Sequence, residues 1–195
     1  MPLNLETAAS GDGEFFNKLR FNSVGGHFWI TTEEGEKRFP NGFKAVFDMA
    51  TVVTGWARYN GTFLDFEPDP ALDKPAARPA ATDDDGGDKA WKRAFKVRAF
   101  SKDAFGGVCD FTHSANVVTS AFSALYAEYE QQAENGMVPV VDVSGTPVKA
   151  GDYYAPVWSV AKMIERPASL PDAAAAPAAA APAAAAPEPA SDEEF

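Results

Sequence analysis

Residues 91–100 read WKRAFKVRAF, a segment whose side chains alternate with a period of two. Successive side chains of a β-strand point to opposite faces, so this alternation predicts a strand with two distinct faces. One face carries the mainly apolar set Trp91, Arg93, Phe95, Val97 and Ala99, and the other carries the basic set Lys92, Ala94, Lys96, Arg98 and Phe100. The first set is typical of a core and the second of a surface that contacts a ligand.

Short segments rich in aromatic and β-branched residues lie on both sides of this strand and predict further strands. They cover residues 26–32, 42–47, 50–59, 62–66, 107–112, 138–143 and 154–164. Asn60-Gly61 separates two of them and predicts a hairpin turn. Residues 114–135 carry apolar side chains at spacings of three and four, with Ser114 as the expected N-cap, and predict one helix.

This order of strands, one helix and two final strands predicts a mainly β domain with one main helix. An OB-fold-like small barrel accommodates the order, and a generic α+β sandwich stays open as an alternative. The predicted divisions are a flexible arm at 1–14, an OB-like nucleic-acid-binding domain at 15–166 with a mobile acidic loop at 68–88, a spacer at 167–190 and an acidic tip at 191–195. Because proline recurs every fifth residue between 177 and 187, the Ala-rich spacer cannot form a continuous helix and is expected to be disordered.

The composition of the 195 residues excludes several classes of protein. Apolar residues make up 46%, which is enough for a packed core. The single cysteine, Cys109, forbids an internal disulfide framework or a Cys-rich zinc site, so no metal or cofactor is expected. No apolar run reaches the length of a membrane span, and the expected location is the cytoplasm.

The net charge of -11 is distributed unevenly along the chain. Residues 167–195 hold five acids and no base, whereas residues 89–102 hold six cations and no acid. Cations and aromatic rings on one surface are what single-stranded nucleic acid requires, because the backbone is anionic and the bases stack. We therefore predict that single-stranded DNA contacts Trp56, Arg58, Lys92, Lys96, Arg98 and Phe100. The core is expected to take Trp29, Trp158, Phe47 and Phe63 instead.

The chain ends in Asp192-Glu193-Glu194-Phe195, three carboxylates and a terminal aromatic ring. With the Ala/Pro spacer before it, this end resembles bacterial and bacteriophage single-stranded-DNA-binding proteins, in which an OB-fold domain is followed by a linker and an acidic tip ending in Phe. The phage variety is the closer likeness, because the bacterial proteins have Pro before the Phe and Gly/Gln-rich linkers. The resemblance implies that residues 192–195 recruit replication and recombination proteins and compete with DNA for the basic surface.

Two other functions are compatible with the sequence. A structural or adaptor protein, for example a virion or assembly component, would dock through the acidic tail without binding nucleic acid. A hydrolase could use Cys109 with His113, which share a strand face. Such pairs usually come from distant segments, so no enzymatic activity is expected. The oligomeric state stays open.

Overall fold

The computed structural model describes residues 17–59, 64–80 and 90–170. Their elements follow the order β1 Asn17–Asn22, β2 His27–Thr32, β3 Gly35–Arg38, β4 Phe43–Tyr59, β5 Leu64–Pro68, β6 Lys92–Ser101, α1 Lys102–Phe105, β7 Gly107–His113, α2 Asn116–Gln132, β8 Met137–Val143, β9 Val148–Ala150, β10 Tyr153–Ala155 and β11 Trp158–Glu165. Within these ranges α2 is the one helix longer than a single turn, so the prediction of a mainly β fold with one main helix is confirmed.

Nine of the described strands form one open sheet. Its order is β11-β8-β4-β6-β7-β1-β2-β3, with β5 paired to β4, and β9 and β10 form a separate two-stranded ribbon. The end strands β3 and β11 do not pair with each other, so the prediction of a closed barrel is wrong. The long strand β4 explains this, because it bulges between Asp48 and Val53 and takes β8 as a neighbour before the bulge and β5 after it. The sheet therefore branches instead of closing on itself.

One side of the sheet, which we name the helix face, packs against α2 and holds the main core. Phe95, Val97 and Ala99 of β6 are buried there, as the alternation of residues 91–100 predicts. The Phe95 ring stacks on Phe122 of α2, with 3.9 Å between the ring centroids. Trp158 packs against the same core. Of the other residues expected in the core, Phe47 is fully buried, while Phe63 lies outside the described residues.

The start of α2 differs from the expected N-cap at Ser114. The cap residue is Ala115, which offers no side-chain cap, and the helix begins at Asn116. The backbone N–H of Ala115 donates to Nδ1 of His113 at 3.0 Å. The histidine ring thus accepts a hydrogen bond from a backbone donor at the helix start, in place of the side-chain cap expected from Ser114.

The opposite side of the sheet, which we name the open face, is covered only at one end among the described residues. There Leu170 is buried against Val46 and Val138. Arg166 fixes this segment, because its Nη2 contacts the buried carboxylate of Asp48 at 2.7 Å and its Nη1 donates to the carbonyl oxygen of Leu170 at 3.1 Å. Residues 166–170 therefore belong to the folded domain and end on the open face.

Several predicted features lie outside the described residues, namely the arm at 1–14, the Asn60-Gly61 turn, the acidic residues 83–88 and residues 171–195. Among the described residues, β4 and β5 pair in antiparallel fashion, with Tyr59 opposite Leu64. Strands β1, β3 and β9 are additions that the sequence patterns did not predict. No helix in the described ranges has both the length and the apolar character needed to cross a membrane.

Candidate nucleic-acid interface

The six side chains predicted to contact DNA lie on both faces of the sheet. Residues directly opposite each other on antiparallel strands share a face. Trp56 lies opposite Arg93, on the side of Phe95 and the core, and Arg58 follows two residues later on the same side. Lys92, Lys96, Arg98 and Phe100 lie on the open face. The single groove expected from all six residues is therefore not formed.

Trp56 on the helix face is covered by residues 69–80, which follow β5. Its indole Nε1 donates to the carbonyl oxygen of Ala76 at 3.0 Å. The guanidinium carbons of Arg93 and Arg78 lie 5.2 and 5.8 Å from the centroid of its ring, within the range of cation–π attraction. The part of the predicted mobile loop that the structure describes is thus held against the sheet, and the Trp56 ring is already occupied by protein groups.

Asp69 fastens this segment, which we name the strap (residues 69–80). Arg93 donates to both carboxylate oxygens of Asp69, from Nη1 at 2.9 Å and from Nη2 at 2.5 Å. The hydroxyl of Thr54 donates at 2.6 Å and the backbone N–H of Ala76 at 2.8 Å. These bonds, led by that from Arg93, lower the pKa of Asp69 from 3.8 to about 2 against the opposing effect of burial.

Arg58 is also engaged within the protein. Its Nε lies 3.0 Å from an oxygen of Asp65 on β5, and its guanidinium carbon lies 4.8 Å from the centroid of the Trp91 ring. Arg58 and Trp56 together belong to a polar and aromatic cluster that consolidates the β4–β5–β6 end of the sheet. Their DNA-binding role stays a prediction, and these contacts favour a structural one.

The four predicted residues on the open face differ in accessibility. Lys96 Nζ lies 3.1 Å from Asp110, and Arg98 Nε lies 3.8 Å from the same carboxylate, with the Arg98 side chain 14% exposed. Phe100 packs against the apolar cluster around Leu170. Lys96, whose side chain is 44% exposed, is therefore better placed to meet a ligand than Arg98 and Phe100.

A line of polar and aromatic side chains that the sequence did not single out crosses the open face beside Lys96. Arg20 of β1 lies opposite Trp29 of β2, and Trp29 lies opposite Arg38 of β3. On the other side, Lys96 of β6 lies opposite Thr112 of β7, which is the neighbour of β1. We name Lys96, Thr112, Arg20, Trp29 and Arg38 the cross-sheet row. At about 4.8 Å between strands, the row spans roughly 19 Å.

The charge around the cross-sheet row is strongly positive. On strands β6, β7, β1, β2 and β3 the open face presents two acids, Asp110 and Glu36, and six cations, namely Lys18, Arg20, Arg38, Lys92, Lys96 and Arg98. Glu36 contacts Arg38, while Lys18 and Arg20 are exposed and have no ion-pair partner among the described residues. Trp29 is partly exposed, and the His27 ring lies 5.4 Å from it. This arrangement offers cations to phosphates and a ring to a base.

The alternation of apolar residues in the sequence indicates that Arg20 and Trp29 point away from the core. Residues 28–30 read FWI, and an apolar Phe28 and Ile30 on one face require Trp29 to point to the other. The expectation that Trp29 belongs to the core is therefore wrong, because the core face of β2 is filled by Phe28 and Ile30. In β1 the buried residues Leu19 and Phe21 direct Arg20 outward by the same rule.

Cys109 and His113 have the features of structural residues. The thiol is fully buried on the helix face, and burial raises its pKa to about 12, which disfavours the nucleophilic thiolate. Both ring nitrogens of His113 are engaged, Nδ1 by Ala115 N–H and Nε2 by the carbonyl oxygen of Phe21 at 3.1 Å. Desolvation lowers the pKa of His113. Neither group has the accessibility that the hydrolase alternative requires.

The part of the chain that the structure describes contains no cluster of three or more His, Cys, Asp or Glu side chains able to hold a metal ion. Comparison of the chain with protein-family models, with curated protein sequences and with solved structures finds no match.

Proposed function

We propose that this chain is a non-enzymatic protein that binds single-stranded DNA without sequence preference during phage DNA replication and recombination. The observation that carries the proposal is the cross-sheet row, where Trp29 lies between Arg20 and Arg38 on neighbouring strands. A base stacks on the indole and the flanking guanidinium groups contact phosphates. In this proposal the open face binds the nucleic acid, as the barrel surface does in OB-fold proteins.

The position of Leu170 supports a second part of the proposal. Leu170, the last described residue, is buried on the open face, so the acidic remainder of the chain starts on the same face as the cross-sheet row. Residues 192–195 recruit replication and recombination proteins through their carboxylates and the Phe195 ring. The same carboxylates compete in cis with DNA for the open-face cations, and salt screens this competition.

The test is a titration of labelled oligo-dT at several salt concentrations. We expect salt-dependent binding by the wild type. Arg20→Glu and Lys96→Glu should each weaken it and flatten the salt dependence by about 0.7 in logarithmic slope for each lost phosphate contact. Trp29→Ala should weaken binding at least fivefold, since a stacked base contributes roughly 1–3 kcal/mol.

Lys149→Glu is the matched control, because Lys149 is exposed on the β9–β10 ribbon, which is separate from the sheet that carries the cross-sheet row. If Arg20→Glu and Lys96→Glu bind like Lys149→Glu, the open face is not the binding surface. If the wild type does not bind oligo-dT at low salt, the proposed function is wrong.

The adaptor alternative has one observation in its favour. The outward side of the β9–β10 ribbon exposes Val148 and Tyr153, and exposed apolar side chains that lie together mark protein contacts. An adaptor would show no binding to oligo-dT and would still capture a partner through residues 192–195. The titration therefore distinguishes the two functions.

A further inference from the structure

The open face carries a second group of aromatic and apolar side chains at the end of the β4–β5 pair. Tyr59 lies opposite Leu64, and Ala57 lies opposite both Phe66 of β5 and Lys92 of β6. Because opposite residues share a face, Tyr59, Leu64 and Phe66 all lie on the open face. We name these three residues the wing.

The wing is unusually exposed for an apolar group. Tyr59 is 51% exposed and Leu64 is also exposed, while Phe66 is partly exposed. On the helix face the same strands are covered by the strap, through the bonds of Asp69 and Trp56. The exposed rings therefore lie on the side of the sheet that carries the cations, and not on the side where the chain covers its own aromatic residues.

Lys92 connects the wing with the cross-sheet row. Lys92 lies opposite Ala57, which precedes Tyr59 of the wing by two residues on β4. On β6, Lys92 precedes Lys96 by four residues, a distance of about 13 Å along the strand. The series from Arg38 through Trp29, Arg20, Lys96 and Lys92 to Tyr59 thus places four cations and two rings on one continuous face. An anionic chain with planar groups is complementary to such a series, whereas an apolar protein partner is not complementary to its cations.

We propose that single-stranded DNA bound on the cross-sheet row continues past Lys92 to the wing, where a base stacks on Tyr59. This inference rests on the proposed function and extends its site to a second stacking position on a different pair of strands. It predicts that the wing contributes to the binding of long oligonucleotides and not to that of short ones.

The experiment compares two lengths of oligo-dT by fluorescence anisotropy, about 4 and about 16 nucleotides, the limits of the usual site size of one single-strand-binding domain. Tyr59→Leu keeps an apolar side chain and removes the ring, whereas Tyr59→Phe keeps the ring. Tyr153→Leu is the matched control, because Tyr153 is 49% exposed on the β9–β10 ribbon.

We expect Tyr59→Leu to weaken binding of the long oligonucleotide about tenfold, which equals about 1.4 kcal/mol, and to change binding of the short one less than twofold. Tyr59→Phe and Tyr153→Leu should bind both oligonucleotides like the wild type. Trp29→Ala should weaken both. Urea unfolding of each variant checks that the fold is retained.

Each other result overturns a stated part of the inference. If Tyr59→Leu binds the long oligonucleotide like the wild type while Trp29→Ala does not, the cross-sheet row is the whole site and the wing has another use, such as protein contact. If Tyr59→Leu weakens both lengths equally, the wing is not a separate extension. If the wild type binds neither length, the proposed function itself has failed.

Discussion

Replacement of Asp69 by asparagine tests whether the strap is fastened to the sheet by charge. The carboxylate accepts four hydrogen bonds, two from Arg93 and one each from Thr54 and the Ala76 backbone. Its side chain is 1% exposed, so water does not replace lost partners at that position. Asp69→Asn keeps the size of the side chain and removes the negative charge that Arg93 contacts.

The magnitude follows from the pKa of Asp69. A decrease from 3.8 to about 2 means that the folded protein favours the ionised carboxylate, and the corresponding free energy is about 2.5 kcal/mol. The Arg93 side chain is 38% exposed and gains hydration when its partner is lost, which offsets part of this amount. We therefore expect Asp69→Asn to lower the free energy of unfolding by about 2 kcal/mol at pH 7, with a decrease in Tm of about 4–8 °C for a domain of this size.

The pH dependence has a defined sign. A carboxyl group whose pKa is lowered by folding stabilises the protein fully above its unfolded pKa, here about 3.8, and loses that contribution as the pH falls towards about 2. The difference between wild type and Asp69→Asn should therefore be constant from pH 7 to pH 5 and should decrease to about half at pH 3. Urea unfolding followed by tryptophan fluorescence measures it, because Trp56 lies under the strap.

Asp73→Asn is the control, since Asp73 is an exposed residue of the same strap. It should leave the free energy of unfolding within about 0.5 kcal/mol of the wild type. If Asp69→Asn is no less stable than Asp73→Asn, the carboxylate does not fasten the strap. A difference that persists unchanged at pH 3 would show that the effect comes from packing and not from charge.

Two further predictions concern residues 171–195 and the thiol of Cys109. Deletion of residues 171–195 leaves the buried Leu170 in place. It should tighten binding of oligo-dT at low salt and have little effect at high salt, because salt screens the competition in cis. Unchanged or weaker affinity at low salt would contradict that competition. The thiol of Cys109 is buried and its pKa is raised to about 12. It should therefore resist alkylation in the native protein and react in urea. Rapid alkylation of the native protein would instead support the hydrolase alternative.

The sequence predicts the strands whose pattern is local and misses the arrangement that depends on distant partners. The alternation of residues 91–100 assigns Phe95, Val97 and Ala99 to the core, and the structure confirms this. Sheet order cannot be obtained in the same way, because β1 pairs in parallel with β7, whose partner residues lie 92 positions later in the chain. Strand β1 reads NKLRFN and has too few apolar residues to be predicted as a strand. Its sequence therefore does not indicate that Lys18 and Arg20 lie on the sheet.

The separation of the predicted site into two groups has a local cause. Asp48 of β4 lies opposite Arg98 on the open face, so an unbroken alternation along β4 would place Trp56 and Arg58 on the open face as well. Between Asp48 and Val53 β4 advances five residues while β6 advances two, and the three extra residues reverse the alternation. Val53 therefore lies opposite Lys96, and Trp56 lies opposite Arg93 on the helix face. A bulge leaves little trace in composition, which is why a sequence pattern could not separate the two groups.

The same arrangement explains how a chain with a net charge of -11 can present a basic surface. Asp69 lies on the helix face with Arg93 as its partner, and the carboxylate of Asp48 is buried against Arg166. Of the two acids that strands β6, β7, β1, β2 and β3 present on the open face, Asp110 contacts cations of β6. Asp110 lies beside Lys18 on the neighbouring strand but contacts Lys96 and Arg98, so the exposed cations Lys18 and Arg20 form no ion pair among the described residues. Local charge and not net charge therefore governs whether the open face can attract a polyanion, and this follows from the range of electrostatic interaction, about 8 Å at physiological salt.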